Sequence, residues 1–439
     1  MAEKLTLAVE ISLASPLLIT SKQVGFVWES ETFIPGSVLR GAIASVAGRE
    51  ADTKQKRDQF LEKIFDRPDA PGFSHAYLGL KRPVGVLPLT ARTCKRFPGF
   101  QRDARDDEQH GTFDTLLQQA FEPSREEPLC RRCMAHASGS GKTIPAETWP
   151  YVVSSAGNKD WRYVSPRPLF RRIGRTAVSR ERGAVAERML YTFETIATQM
   201  SLGELDRDGL PLNARTSFHA FVDINNDDPW RENWAQWLQT IQYLGRSRSR
   251  GLGHVEISVQ PLTDPWPTER ERMQATIALA EGKPRHVGKP DYQLSMLERI
   301  QAFTHAVYQY RSSAESPHYW YFTIDLQSDT IWGDVTGPRV RLTPEDLALP
   351  ADVELQWWMA HHEQVGGWSA AWGLPKPLLP ALSAGSVFLY RVPTGDESLT
   401  RQVLDRCIEL EREGIGQRSK EGYGEVQICA PFHLKTEVK

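Results

Sequence analysis

The chain has 439 residues, 40% of them hydrophobic and 25% charged, with a formal net charge of -2. This length favours two or more domains, and the near-neutral balance excludes a uniformly basic coat while permitting a local basic groove. No apolar run reaches the roughly 18 to 20 residues of a membrane span, the start lacks a signal-peptide layout, and an odd number of cysteines does not make a disulfide framework, so a soluble cytoplasmic protein is expected.

LTLAVEISLASPLLI alternates apolar and polar residues with period two and predicts a strand. FIPGSVLRGAIASVAGRE follows, with Pro35 fit for a first helical turn and Val38, Leu39, Ala42, Ile43 and Val46 at helical spacing. From about 88 to 150 the periodicity fades, and Cys, Gly, Pro and charge rise, as in an insertion. RTSFHAFVDI then reads as a strand, NWAQWLQTIQYLG as a helix ending at Gly245, and HVEISVQ as a strand. Residues 264–316 read as a linker or helical connection, with helical content around Tyr292 to Tyr310. YWYFTIDLQSD repeats the opening alternation, and SLTRQVLDRCIELEREGIG is an amphipathic helix before the strand EVQICAPFHL.

One pattern occurs twice. LGRSRSRGLGHVEI, from Leu244, aligns without a gap on IGQRSKEGYGEVQI, from Ile415, each after a predicted helix and before a strand. Gly251, Gly253, Gly422 and Gly424 would let the backbone approach a ligand closely, while Arg246, Arg248, Arg250, Arg418 and Lys420 could neutralise phosphate. A plain glycine turn with solvated arginines reads the same way in one copy; two copies in equivalent places weaken that reading. Ser37 and Arg40 lie at the start of the FIPGSVLRG helix, where free amides suit an anion, although a capped helix on a sheet has the same pattern.

Between Trp161 and Arg188, eight Arg stand against two Glu, with Trp161, Tyr163 and Phe170 interleaved. Guanidiniums for phosphates and rings for bases suit single-stranded RNA, on a predicted β-hairpin; a solvated charged face is the alternative. Cys94, His110, Cys130 and Cys133 form C-x15-H-x19-C-x2-C, which predicts a closed structural Zn²⁺ site, with His136 competing with His110. Trp357, Trp358, Trp368 and Trp372 are expected in core or interface. His361/His362 lack an identifiable nucleophile or carboxylate partner.

Taken together, FIPGSVLRGAI, GRTAVSRERGAVAERMLYTFETI and the glycine loops resemble the RAMP superfamily of CRISPR-associated proteins. Ile34 to Gly41, Arg175 to Glu194, Gly245 to Gly253 and Gly416 to Gly424 match its motifs in order, although Gln417 replaces a basic residue. The Cys/His segment near HGTFDTLL and GGWSAAWGLPKPLLPALSAGSVF look most like the Csx-ten family of type III-D systems.

The fold implied is α+β: two ferredoxin-like (RRM-type) RAMP domains in tandem, 1–263 and 317–439, with the zinc-binding insertion and a basic hairpin at about 161–188 in the first. The function implied is a CRISPR RNA-binding, non-catalytic subunit of a type III antiviral effector complex, in a place that could cap the 5′ end of the guide. Its partners would be CRISPR RNA, target RNA indirectly, a large polymerase-type subunit and backbone RAMP subunits. Arg171, Arg172, Arg175 and Thr176 would belong to a thumb-like hairpin on the RNA. Target-cleaving relatives carry an aspartate between the first strand and the I-P-G-S helix, and Ser21 to Thr32 has Glu29 and Glu31 but no Asp. Slicing of target RNA is therefore not expected. A metal-independent endoribonuclease is the alternative.

Overall fold

The computed structural model describes residues 4–50, 53–65, 70–79, 84–100, 110–135, 141–155, 161–178, 185–205, 211–262, 266–284, 288–311, 318–334, 337–369 and 374–434. It is an α+β protein with several small sheets. His136 and Trp372 lie outside the described residues.

The chain divides into two compact units. The first comprises Met1–Pro83, Ser165–Asp264 and Lys420–Gly422, the second Val84–Val164, Pro265–Ser419 and Tyr423–Lys439. The Cys/His segment, expected in the first domain, thus has its contacts with the second unit. Tyr151 and Tyr163, near its end, bury their rings against Phe432 from the C-terminal part of the chain. That apolar contact between distant stretches left no local signature in the sequence.

In the first unit the strand Lys4–Leu13 buries Leu7, Val9, Ile11 and Leu13, every second residue, as its alternation predicts. It pairs antiparallel with Ser217–Asn225 on one side and Val255–Pro261 on the other; Gly72–Phe73 extends the sheet beyond Ser217–Asn225. The helix Gly36–Glu50 buries Leu39, Ala42, Ile43 and Ala47 in the same core. The helix expected to run to Gly245 is shorter, Trp234–Gln239. Beyond it, the Gln242 carbonyl accepts from the Val255 amide and the Leu244 amide donates to Gly253, so pairing with the following loop replaces helical bonding. A separate sheet in this unit joins the long hairpin Arg167–Val178/Val185–Leu205 to the small hairpin Thr20–Val24/Val27–Ser30.

The second unit carries a sheet ordered Glu354–Met359, Val387–Pro393, Tyr319–Leu326, Val426–Ile428. The amphipathic helix Glu397–Glu413 is capped by Asp396, which accepts from the Leu399 amide at 2.9 Å, and buries Val403, Leu404, Cys407 and Ile408. The stretch read as a linker or helical connection is helical at Glu269–Ala280, which starts with a Thr268/Glu271 capping box, and at Met296–Arg311. Leu279, Phe303 and Val307 from these helices lie fully buried in the unit's core, so this stretch is structural. Trp357 and Trp358 pack against the same core. His361 and His362 are exposed.

Candidate nucleic-acid interface and metal centre

The two glycine loops have one backbone design. Gly245, Ser247, Gly251 and Gly253 take positive φ, and so do Gly416, Arg418, Gly422 and Gly424 at the aligned positions. A single 3-10 turn, Arg248–Arg250 or Ser419–Glu421, forms each tip. The Gly253 amide donates to the Pro16 carbonyl (2.8 Å) and the Arg246 amide to Leu18 (2.9 Å). The second copy repeats this at Gly424 to Asp329 (3.0 Å) and Gln417 to Ile331 (3.2 Å). In both, the acceptors come from the stretch just after the first strand of a sheet. A Cβ at Gly253 or Gly424 would collide with the carbonyl of Leu244 or Ile415. These two buried glycines therefore serve the loop's own closure. Gly251 is exposed at the tip, with open space around it.

The first loop lies against the long hairpin. In the hairpin register Ile173 opposes Phe193 and Arg175 opposes Tyr191, so these four share one face, and alternation places Arg171 there too. Ile173, Phe193, Trp28, Tyr191, Leu18 and Leu252 form a small apolar cluster. Arg250 donates to the Tyr191 hydroxyl at 2.7 Å, and the Arg246 guanidinium lies 5.2 Å from the centre of the Trp28 ring. Arg248 donates to the Gly245 carbonyl at 3.1 Å. Arg171, Arg246, Arg248 and Arg250 are exposed and Arg175 is half-buried. Arg172 is on the opposite face, paired with Glu194 at 2.8 Å, and Thr176 is exposed on that face as well. The arrangement offers several guanidiniums on a fixed aromatic base, a chemistry suited to phosphate.

Other expected site residues have different surroundings. Arg40 is buried and sits 3.4 Å from the carboxylate of Glu421, within the same unit. The Gly36 amide at the helix start donates to His75 Nδ1 at 3.1 Å, and a Cβ at Gly36 would strike the Phe73 carbonyl. The helix start beside half-buried Ser37 is thus already capped by an imidazole. Gly422 is buried beside the His75 ring. Arg418 stacks 4.7 Å from the Tyr423 ring centre and donates to the Gly366 carbonyl, and Lys420 is half-buried. Sequence reading missed Trp28 and Tyr191 as the floor of the basic face. Their signal was weak, because neither strand's local sequence ties its aromatic to the distant glycine loop.

Cys94, His110, Cys130 and Cys133 meet in the second unit, with their ligand atoms all within 4.8 Å of one another. Cys94 ends the strand Ala91–Cys94, Cys133 lies on the short helix Arg131–Ala135, and the Cys94 and Cys133 sulfurs are 3.6 Å apart. His110 Nδ1 is 3.3 Å from both the Cys130 and the Cys133 sulfur, and its ring packs on Phe97. Burial raises the Cys94 thiol, but amide hydrogen bonds from Phe97 and Arg96 and the neighbouring sulfurs outweigh it and hold it below its ordinary value. Burial pushes Cys130 up to about 11. Three buried sulfurs and one imidazole nitrogen at these separations fit one tetrahedral metal ion.

Nearby is a second polar cluster that sequence reading did not find. His433, fully buried, sits between Asp114 (2.7 Å from Nδ1) and Asp325 (2.8 Å from Nε2). Asp325 also accepts from Thr323 and the Ala430 amide.

The RAMP superfamily profile matches residues 10–256, more than half of the chain, from the first strand into the strand after the first glycine loop. The chain belongs to the RAMP superfamily. No curated protein matches this RAMP chain in sequence. Among solved structures it is similar to a chain of the type III-B Cmr-beta complex bound to cognate target RNA and AMPPnP, at 10% identity and TM-score 0.37, covering 87% of this chain and 86% of the other. A chain of Cmr-beta bound to cognate target RNA has 14% identity and TM-score 0.30 over 59% of this chain and 97% of its own. One from a type IV-B CRISPR complex has 15% identity and TM-score 0.23, covering 60% and 95%.

Proposed function

We propose that this RAMP protein is a non-catalytic, CRISPR RNA-binding subunit of a type III effector complex, of the III-D kind, in a place suited to the 5′ end of the guide. The observation that carries this is the face where Arg246, Arg248 and Arg250 of the first loop join Arg171 and Arg175 of the hairpin over Trp28 and Tyr191. Superfamily membership supports the assignment to a CRISPR assembly. Its partners there would be the large polymerase-type subunit and the backbone RAMP subunits.

The two sheets favour tandem ferredoxin-like domains. In the first unit, the strands of the Lys4–Leu13 sheet and the helices Gly36–Glu50 and Trp234–Gln239 follow one another as strand, helix, strand, strand, helix, strand, with the hairpin sheet and the helix Lys54–Phe65 inserted. This sheet and that of Tyr319–Leu326 both have the order fourth, first, third, second. In the second unit, turns among the described residues of 339–353 stand where the first has a helix. The Cys/His cluster is best suited to structural zinc, since four protein ligands leave no open position. Cys94, His110, Cys130 and Cys133 would hold the ion and tie the strand Ala91–Cys94 to the short helix Arg131–Ala135.

CRISPR RNA binding measured against salt tests the reading. The substitution Arg246→Ala/Arg248→Ala/Arg250→Ala should weaken binding and reduce the slope of log K against log salt by about 2. An unchanged affinity and slope would overturn it, as would specific cleavage of a repeat-containing transcript by the purified protein.

A further inference from the structure

Phe26 occupies the two-residue turn between Thr20–Val24 and Val27–Ser30, where Val24 pairs with Val27 and Gly25 takes φ 59°. Such turns ordinarily hold Gly, Asn or Asp. Here a phenyl ring stands 67% exposed. A scattered exposed apolar residue is normal on any surface, so exposure alone decides nothing. The position is what gives Phe26 significance.

The Phe26 carbonyl accepts from the Thr192 amide at 2.8 Å, which fixes the turn one residue from Tyr191. Tyr191 holds Arg250 through its hydroxyl. Two residues beyond Phe26, Trp28 carries the Arg246 guanidinium over its ring. Three aromatic residues therefore follow one another along the margin of the basic face. Two are engaged by arginines that bring positive charge to the surface, and the third is largely open to water.

We propose that Phe26 is a stacking site for an unpaired RNA base, adjacent to phosphates held by Arg246 and Arg250. The inference rests on the RNA-binding reading above and adds a base-contacting position to a face otherwise read as gripping the backbone. Charge selects the occupant, because a strand that brings an anion to each arginine also brings a flat, apolar base within reach of the ring. A protein segment would need acidic residues at phosphate spacing and would gain less from a ring face. Stacking of this kind tolerates any base, so the site would not read sequence.

The test uses the full chain and single-stranded oligoribonucleotides, each with 2-aminopurine at one position, tiled along the strand. Wild type should quench the fluorescence at one or two adjacent positions. Phe26→Ala and Phe26→Leu should abolish that quenching and weaken binding about tenfold, with the salt slope unchanged. Phe26→Tyr should keep both. The loop arginine substitution should instead lower the slope. Equal quenching and affinity in Phe26→Leu and wild type would overturn the stacking site while leaving the phosphate face standing. No RNA binding by wild type would overturn both. Normal RNA binding but failed incorporation of Phe26→Ala into its complex would mark the ring as a protein contact and reject the proposal.

Discussion

The amide of Leu244 donates to the carbonyl of Gly253 at 2.8 Å, and the carbonyl of the same leucine lies where a Cβ on that glycine would have to go. The loop is closed on itself at this point, and Ile415 and Gly424 repeat the relationship. Gly253→Ala should destabilise the protein by more than about 2 kcal/mol, because the collision with backbone adds to the strain of positive φ. Gly251→Ala, with open space around it, should cost only about 1–2 kcal/mol. Denaturant unfolding of the two variants checks the difference, and equal losses would contradict it.

Arg40 and Arg250 should respond differently to removal. Arg40 is buried against Glu421, so Arg40→Ala should lower stability by about 1–3 kcal/mol and leave the salt dependence of RNA binding nearly unaltered. Arg250→Ala should leave stability within about 0.5 kcal/mol and reduce the salt slope by about 0.7. Thermal scans paired with binding isotherms at several salt concentrations separate the two outcomes.

Read as a zinc site, the Cys/His cluster predicts one equivalent of bound zinc, lost in Cys130→Ser/Cys133→Ser and measurable by elemental analysis. Full occupancy in that variant would refute the site. Chelation should lower stability by about 2.7 kcal/mol if the ion is present at a hundredfold over its dissociation constant.

His433 predicts a pH dependence. Burial alone would lower its pKa, but the charges of Asp325 and Asp114 and their hydrogen bonds more than reverse this and raise it to about 10. A raised folded value means the folded protein binds the proton more tightly than the unfolded chain. The stabilisation is thus complete below the ordinary histidine value of about 6.5 and is lost as pH rises through about 10. Unfolding midpoints between pH 6 and 10 should fall with pH in the wild type, and His433→Gln should flatten that fall.

Much of the architecture was legible because it is local. Period-two alternation marked Lys4–Leu13 and Tyr319–Leu326, and the helical stripe of Val403, Leu404, Cys407 and Ile408 marked its helix. The glycine spacing identified the repeated loop, yet its physical cause was misjudged at Gly253 and Gly424, where backbone packing demands glycine. Arg40 was read as an anion ligand because its partner Glu421 is far away in sequence. The same distance concealed the association of Asp114, Asp325 and His433. The four residues of the Cys/His cluster were legible because thiolate chemistry narrows the choice of residue type to very few.

The loop design has a consequence for engineering. Its shape depends on glycines and main-chain bonds at the base, while the three tip residues are Arg248–Arg250 in one copy and Ser419–Glu421 in the other. The backbone accepts either set, so tip and chassis are separable modules. Grafting the Ser-Lys-Glu tip onto the first loop should keep its geometry and remove the tip guanidiniums, whereas the reverse graft would take Glu421 away from buried Arg40, so only the first loop is a socket whose charge can be rewritten without redesigning the domain.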